Sequence, residues 1–186
     1  MSVSAALESR VPLLERDQVP AEIAAVYDKL LAERGVIPNM FKAVANLPGL
    51  ALGYAALLKP LMGDGALTAL YKELVATHIA SLNDCEYCVS SHRYLAKLRG
   101  ATDAQIETVD SYESGPYSEK EKAGFRYADV LHKGGNAVDD AVWTAAKAHF
   151  DDKELIELTA VAAAFEFFPR FNSALRIPVT KLPGEE

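Results

Sequence analysis

Glu73, Cys85, Cys88 and His92 lie within one short stretch, and Cys85 and Cys88 are the two cysteines of the chain. On a helix, positions i, i+3 and i+7 share a face. Cys85, Cys88 and His92 have that spacing, so both sulfurs and the imidazole point into one space while Tyr87 and Val89 point elsewhere. The cysteines also fall at an expected helix start, where unpaired backbone N–H groups and the helix dipole favour a thiolate. The thiolate is the form that attacks a disulfide or a peroxide O–O bond. Glu73 sits on what reads as the preceding helix. Two helices joined by a short link pack antiparallel, which brings Glu73 toward His92 rather than toward the sulfurs. A chain from Glu73 to His92 to Cys88, with water filling any gap, has the parts of an orienter, a base and a nucleophile.

Other readings of the same residues stay open. Cys-x-x-Cys with His92 is able to ligate zinc, with His78 as a fourth ligand, although the second paired ligand motif usual for structural zinc is absent from the sequence. Haem attachment needs a histidine directly after the second cysteine, where this chain has Val89. Two buried cysteines serving as small core hydrophobes is the plainest reading, and it leaves the register of His92 unexplained. Glu73 fits equally well as a surface residue paired with Lys72 or Arg93. His78, on an apolar helix face, reads as a satisfied core residue. His132 and His149 fall near helix C-termini, where imidazolium is favoured, and carry no assigned chemistry. Tyr87 reads as packing, and Glu166 with Arg170 as a pair one helical turn apart.

The elements that must hold these residues are helices. Residues 1–19 form an extended lead-in, with Val11, Leu13 and Leu14 available to dock. Pro20 opens a helix carrying Ile23, Val26, Tyr27, Leu30 and Leu31, and Gly35 stops it. A turn over 36–39 leads to a short helix with Met40, Phe41 and Val44, ended by Pro48-Gly49. Leu50–Leu58 is apolar almost all round, which predicts a helix buried in the core or packed on another subunit, closed by Lys59-Pro60. Leu67–Leu82 carries Glu73. Asn83-Asp84 then read as starting residues for a helix from Cys85 to Leu98 that stops at Gly100. Thr102 and Ser118 each open a capping signature, the first for a helix containing Ile106 and Val109, the second for one reaching Gly134-Gly135. Val138–Phe150 and Asp151–Phe168 make two more helices, with a kink or an end at Pro169 and a packing tail over 171–183. No stretch alternates as a strand would, so the fold class is all-α, with roughly seven to nine helices in one domain spanning 1–186. A weak echo of Lys72–Ala76 in Lys153-Glu154 and Glu157–Ala160 hints at a duplicated helical hairpin.

The 186 residues are half hydrophobic and about a quarter charged, an ordinary globular mixture, and the net charge of −7 argues against a nucleic-acid partner. The N-terminus lacks the basic start and apolar core of a signal peptide, and no apolar run approaches a membrane span. The expectation is a soluble, cytoplasmic protein. In that reducing setting a cysteine pair serves catalysis or metal binding more often than structure.

The pattern Glu-x11-Cys-x2-Cys-x3-His in an all-helical chain resembles the alkyl hydroperoxidase D-like branch of the carboxymuconolactone decarboxylase family, and Leu-Asn-Asp-Cys-Glu-Tyr-Cys resembles its peroxidase-related members. The likeness is strongest over 67–100 and looser over 101–178. It implies a helical homo-oligomer, a trimer or hexamer, that reduces organic hydroperoxides with no bound cofactor or metal, using an external dithiol donor of lipoyl or thioredoxin-like type. By that resemblance Cys88 attacks the peroxide and becomes a sulfenic acid, Cys85 resolves it to a disulfide, and His92 with Glu73 relays the proton. The best-studied members carry a second histidine between the cysteines, where this chain has Tyr87. The decarboxylase branch lacks the cysteine pair.

Overall fold

The core is built around one helix, α4 (Ala69–Leu82), whose side chains are buried on nearly every side. Leu74, Val75, Ala76, Ile79 and Ala80 give it apolar surface all round, so it is surrounded rather than laid on a surface. The computed structural model describes residues 8–184, in which nine α-helices and three short 3-10 turns account for the regular structure, with no strand among them. The all-α expectation holds. No helix among the described residues is long and apolar enough to cross a membrane.

The lead-in, described from residue 8, is tied down by Arg10 N–H to the carbonyl of Leu175 at 2.9 Å and Leu14 N–H to that of Lys42 at 3.0 Å. Val11, Leu13 and Leu14 dock on the core as expected. Residues 1–7 of that expected lead-in lie outside the described residues. Helix α1 (Ala21–Arg34) ends where Gly35 takes the left-handed conformation and returns its N–H to Leu31. Helices α2 (Asn39–Val44) and α3 (Pro48–Met62) follow.

Three prolines were expected to end a helix or, at Pro169, to kink or end one, and none of them ends one. Pro48 opens α3 at its first turn, where the missing N–H has no intrahelical partner to lose. Pro60 lies inside α3, which continues to Met62, and Pro169 lies inside α9 (Asp152–Leu175), which continues for six further residues. Each removes one ladder bond, a cost that the packing of the flanking turns offsets. Of the two expectations for Leu50–Leu58, burial in the core of the chain is not met. Ala51 and Tyr54 face the core, while Leu50, Leu52 and Leu57 stay exposed, so α3 is one-sided.

Helix α5 (Glu86–Leu98) packs antiparallel to α4 across a tight link, but Asn83 and Asp84 do not start it. Asn83 caps the end of α4, its side-chain amide donating to Ile79 O at 3.0 Å, and Asp84 turns the chain with a positive φ of 50°. The short helix α6 (Asp103–Glu107) is opened by the Thr102 capping box and ends before Val109, which falls in a 3-10 segment instead. Helix α7 (Glu119–Lys133) starts at the Ser118 capping box. Helix α8 (Asp140–Lys147) starts later than expected because Asp139 caps it, accepting from Ala141 and Val142, and it stops short of Phe150. Helices α5, α7 and α9 all pack on α4. The two echoing segments therefore sit on contacting helices.

Candidate active site

Cys85 is the cap of α5 rather than its first turn, with its Sγ accepting the N–H of Cys88 at 3.3 Å. That bond takes the place of an Asn or Ser cap. It holds the two cysteines with their Cα atoms 5.3 Å apart, joined by a disulfide. Both are buried, but they are not equivalent. Cys88 opens onto a cavity of about 50 Å³, and Cys85 does not line it.

Glu73 is fully buried at the centre of α4, which excludes the surface reading. Its Oε2 lies 2.6 Å from His92 Nδ1, and its Oε1 receives Arg99 Nε at 3.1 Å. A carboxylate only accepts, so Nδ1 carries the proton and the lone pair of a neutral imidazole sits on Nε2. The ring is held edge-on to Phe165 of α9, with centroids 4.4 Å apart. Glu73, Cys88 and His92 all line the same cavity, so α4 and α5 bring together the residues singled out in the sequence.

Tyr87 differs from its expected orientation. It lines this cavity beside Cys88 and His92, because a cavity spanning two adjacent helix faces takes residues 87 and 91 as well as 88 and 92. Its hydroxyl accepts Met40 N–H at 3.1 Å, tying α5 to α2. Burial raises its pKa, against an opposing pull from its hydrogen bonds and from Arg34.

Three residues of this region carried no signal in the sequence. Asn172 of α9 is buried and donates its amide to Cys88 Sγ at 3.4 Å, while its Oδ1 has no hydrogen-bond partner among the described residues. Arg99 shares Glu73, and Arg34 at the end of α1 forms part of the cavity wall. Asn172 lies 84 positions from Cys88, a separation that no periodicity argument spans.

The remaining histidines lie elsewhere. His78 is buried against Tyr112 and Phe125, with Nε2 2.6 Å from Asp129 Oδ1 and Nδ1 3.5 Å from Asp110 Oδ1. Burial disfavours its charge, but the two carboxylates outweigh that and push its pKa up to about 9. Nε2 is held by Asp129, and among the described residues no group of three His, Cys, Asp or Glu side chains is placed to hold a metal. Glu166 does pair with Arg170, Oε2 to Nη2 at 3.0 Å, and also takes His132 Nδ1 at 2.7 Å on its other oxygen.

A helical protein with a buried, disulfide-linked cysteine pair, one member of which faces a small cavity backed by a glutamate–histidine pair, is the class that fold and site define. The chain belongs to the carboxymuconolactone decarboxylase family, whose model matches residues 48–130. The protein YnjA of Escherichia coli, itself uncharacterized, is 30% identical over 177 residues, covering 94% of this chain and 92% of that one. The fold is that of alkylhydroperoxidase AhpD. An AhpD-core, peroxidase-related protein from Ralstonia eutropha superposes with a TM-score of 0.86 at 23% identity, covering 95% of both chains. The debrominase Bmp8 superposes with a TM-score of 0.81 at 20% identity over 91% of both chains. A cysteine-to-alanine variant of Bmp8, in complex with 2,3,4-tribromopyrrole, gives 0.83 at 19% identity over 95% of this chain and 94% of that one.

Proposed function

We propose that this protein is a thiol peroxidase for organic hydroperoxides, cycling between a Cys85/Cys88 dithiol and the disulfide. The observation that carries the reading is the inequality of the two sulfurs: Cys88 faces the cavity together with His92, and Cys85 sits behind it as the cap of α5. In the reduced protein His92 Nε2 takes the proton of Cys88, with Glu73 orienting the ring and stabilising the imidazolium. The helix start and the Asn172 amide both favour the resulting thiolate.

The thiolate sulfur attacks the peroxide. The S–O bond forms, the O–O bond breaks, and the alkoxide leaves with the electron pair and takes the proton from His92 as an alcohol. Cys85 then attacks the sulfenic acid on Cys88, forming the S–S bond and releasing water. Two electrons and two protons from an external dithiol, of lipoyl or thioredoxin-like type, restore the pair without a bound cofactor. Tyr87 replaces the family's second histidine as a positioning residue, holding α2 against α5 through Met40.

The exposed side chains of Leu50, Leu52 and Leu57 on α3 support assembly as a homo-oligomer, a trimer or hexamer. The test of the function is a thiol count before and after one equivalent of cumene hydroperoxide, followed by steady-state turnover with dihydrolipoamide or thioredoxin. Loss of two thiols with no turnover under either donor favours a redox-sensing module instead.

A second reading is reductive debromination of a small aromatic. It is favoured by the rings of Phe41, Phe165 and Phe168 on the cavity wall and by the likeness to Bmp8. Bromide release from a bromopyrrole in the presence of dithiol separates it from the first.

A further inference from the structure

Among the charged groups on the cavity wall, Arg34 stands apart. Glu73 has both oxygens engaged, Oε2 by His92 and Oε1 by Arg99. Arg34 meets Glu73 only through space, and among the described residues no carboxylate comes within the 4.0 Å of an ion pair with its guanidinium. Glu33 also acts on Arg34 through space, so the guanidinium feels two carboxylates and is bonded to neither. Burial holds the Arg34 pKa below its ordinary value, with Glu73 pulling the other way, as expected for a cation that has lost water without gaining a bonded anion.

The position of Arg34 is built. It is the last residue of α1, its carbonyl accepts the Tyr94 hydroxyl at 2.9 Å, and Gly35 follows with a left-handed φ of 71°. A Cβ on Gly35 would come within 2.9 Å of Pro183 Cγ, so the tail packs closely over this turn. Arg34, Pro38, Ser91 and Leu95 also line a second, smaller hollow beside Tyr94 and Thr180, so the guanidinium stands between two hollows. The rest of the wall joins the polar groups of Tyr87, Ser91 and Asn172 to an apolar set that includes Leu58, Met62 and Phe168. The cavity is small, at about 50 Å³.

We propose that Arg34 makes this a site for small electrophiles that carry a carboxylate, so that the preferred substrate is a short hydroperoxy acid rather than a neutral alkyl hydroperoxide. The proposal rests on the peroxidase reading and names its substrate class. A guanidinium matches a carboxylate with two parallel hydrogen bonds, and here it is already partly desolvated. The carboxylate takes no part in bond making. Cys88 still gives its electron pair to the peroxide, and the alkoxide still leaves as an alcohol.

The competing role for Arg34 is to stabilise the Cys88 thiolate, and a ratio of rates separates the two. Reduced protein carrying Cys85→Ser, with Cys88 as its one thiol, is alkylated by iodoacetate and by iodoacetamide. The reagents differ in a carboxylate against an amide, and each loses iodide to the sulfur. The thiolate fraction cancels in the rate ratio. Replacing Arg34 by Met should lower the iodoacetate-to-iodoacetamide ratio roughly fivefold or more, and Arg34→Lys should retain part of it. In the protein with Arg34 intact, added salt should lower the ratio as well, which keeps the test decisive if the Met variant folds poorly. A ratio unmoved by both substitution and salt overturns the proposal. In steady state, 3-hydroperoxy-3-methylbutanoic acid should be preferred to its methyl ester, and an ester consumed as fast as the acid also overturns it. Absence of turnover with either compound counts against the peroxidase reading alone, since alkylation needs no turnover.

Discussion

Glu73 and His92 meet at 2.6 Å inside the protein, the carboxylate fully buried and the imidazole on the cavity wall. The contact fixes the tautomer, and with it the nitrogen free to take a proton from Cys88 or return one to a leaving oxygen. It also makes Glu73 structural, because the same carboxylate neutralises Arg99.

Glu73→Gln should therefore do two things. Loss of the negative charge destabilises the imidazolium, so the apparent pKa for alkylation of Cys88 should rise. Loss of the charge-assisted bonds to His92 and Arg99 should lower stability by about 1–3 kcal/mol. An alkylation pH profile identical to the parent's removes Glu73 from the relay, whatever the unfolding data give.

The two cysteines should fail differently. Cys88→Ser should abolish peroxide consumption. Cys85→Ser should consume one equivalent and stop, leaving a sulfenic acid on Cys88 that dimedone traps and mass spectrometry detects. Peroxide consumption at the parent rate by Cys88→Ser would assign attack to the wrong sulfur.

Asn172 reaches Cys88 from α9 with an N–H donor. Asn172→Leu should raise the alkylation pKa of Cys88, because the thiolate loses a donor that it does not find elsewhere in an apolar wall. Asn172→Asp should raise it further by placing a negative charge beside the sulfur. Both variants titrating as the parent does would reduce Asn172 to a packing residue.

His78 predicts a pH dependence away from the site. Its folded pKa of about 9 exceeds the ordinary 6.5, so its contribution is fully present below pH 6.5 and is lost as pH rises through about 9. The carboxyls of Asp110 and Asp129 sit below their ordinary value, held there by His78 against the opposing effect of burial. Their contribution is present above that value and is lost as acid protonates them. Urea midpoints should fall between pH 6.5 and 9.5 in the parent and less steeply in His78→Gln. Parallel curves for the two proteins would refute the assignment.

Gly124, in the middle of α7, tests packing against propensity. Alanine gains about 1 kcal/mol of helix propensity over glycine. A methyl at position 124 would, however, overlap the Tyr71 hydroxyl, which donates to Glu121 O, and approach Phe150 Cζ at 3.1 Å. Overpacking of this kind costs about 1–3 kcal/mol, so Gly124→Ala should lower the melting temperature. A more stable variant would mean that Tyr71 moves aside freely.

Local sequence determined the helices and the heart of the site. Apolar periodicity and the capping boxes at Thr102 and Ser118 are local effects, and they placed most helix starts correctly. An antiparallel hairpin points Glu73 toward His92, but the sequence left it equally open as a surface residue, and only its burial in α4 decided between the two. Where a helix ended was less legible: Pro60 and Pro169 lie inside helices because packing on other elements outweighs one missing hydrogen bond. Tertiary structure alone decided that Cys88 rather than Cys85 faces the cavity, since that depends on Cys85 serving as a cap. It alone brought Arg34 from α1 and Asn172 from α9 to the same cavity. Side chains so far apart in the chain meet only when several helices are packed at once, and no local pattern records that.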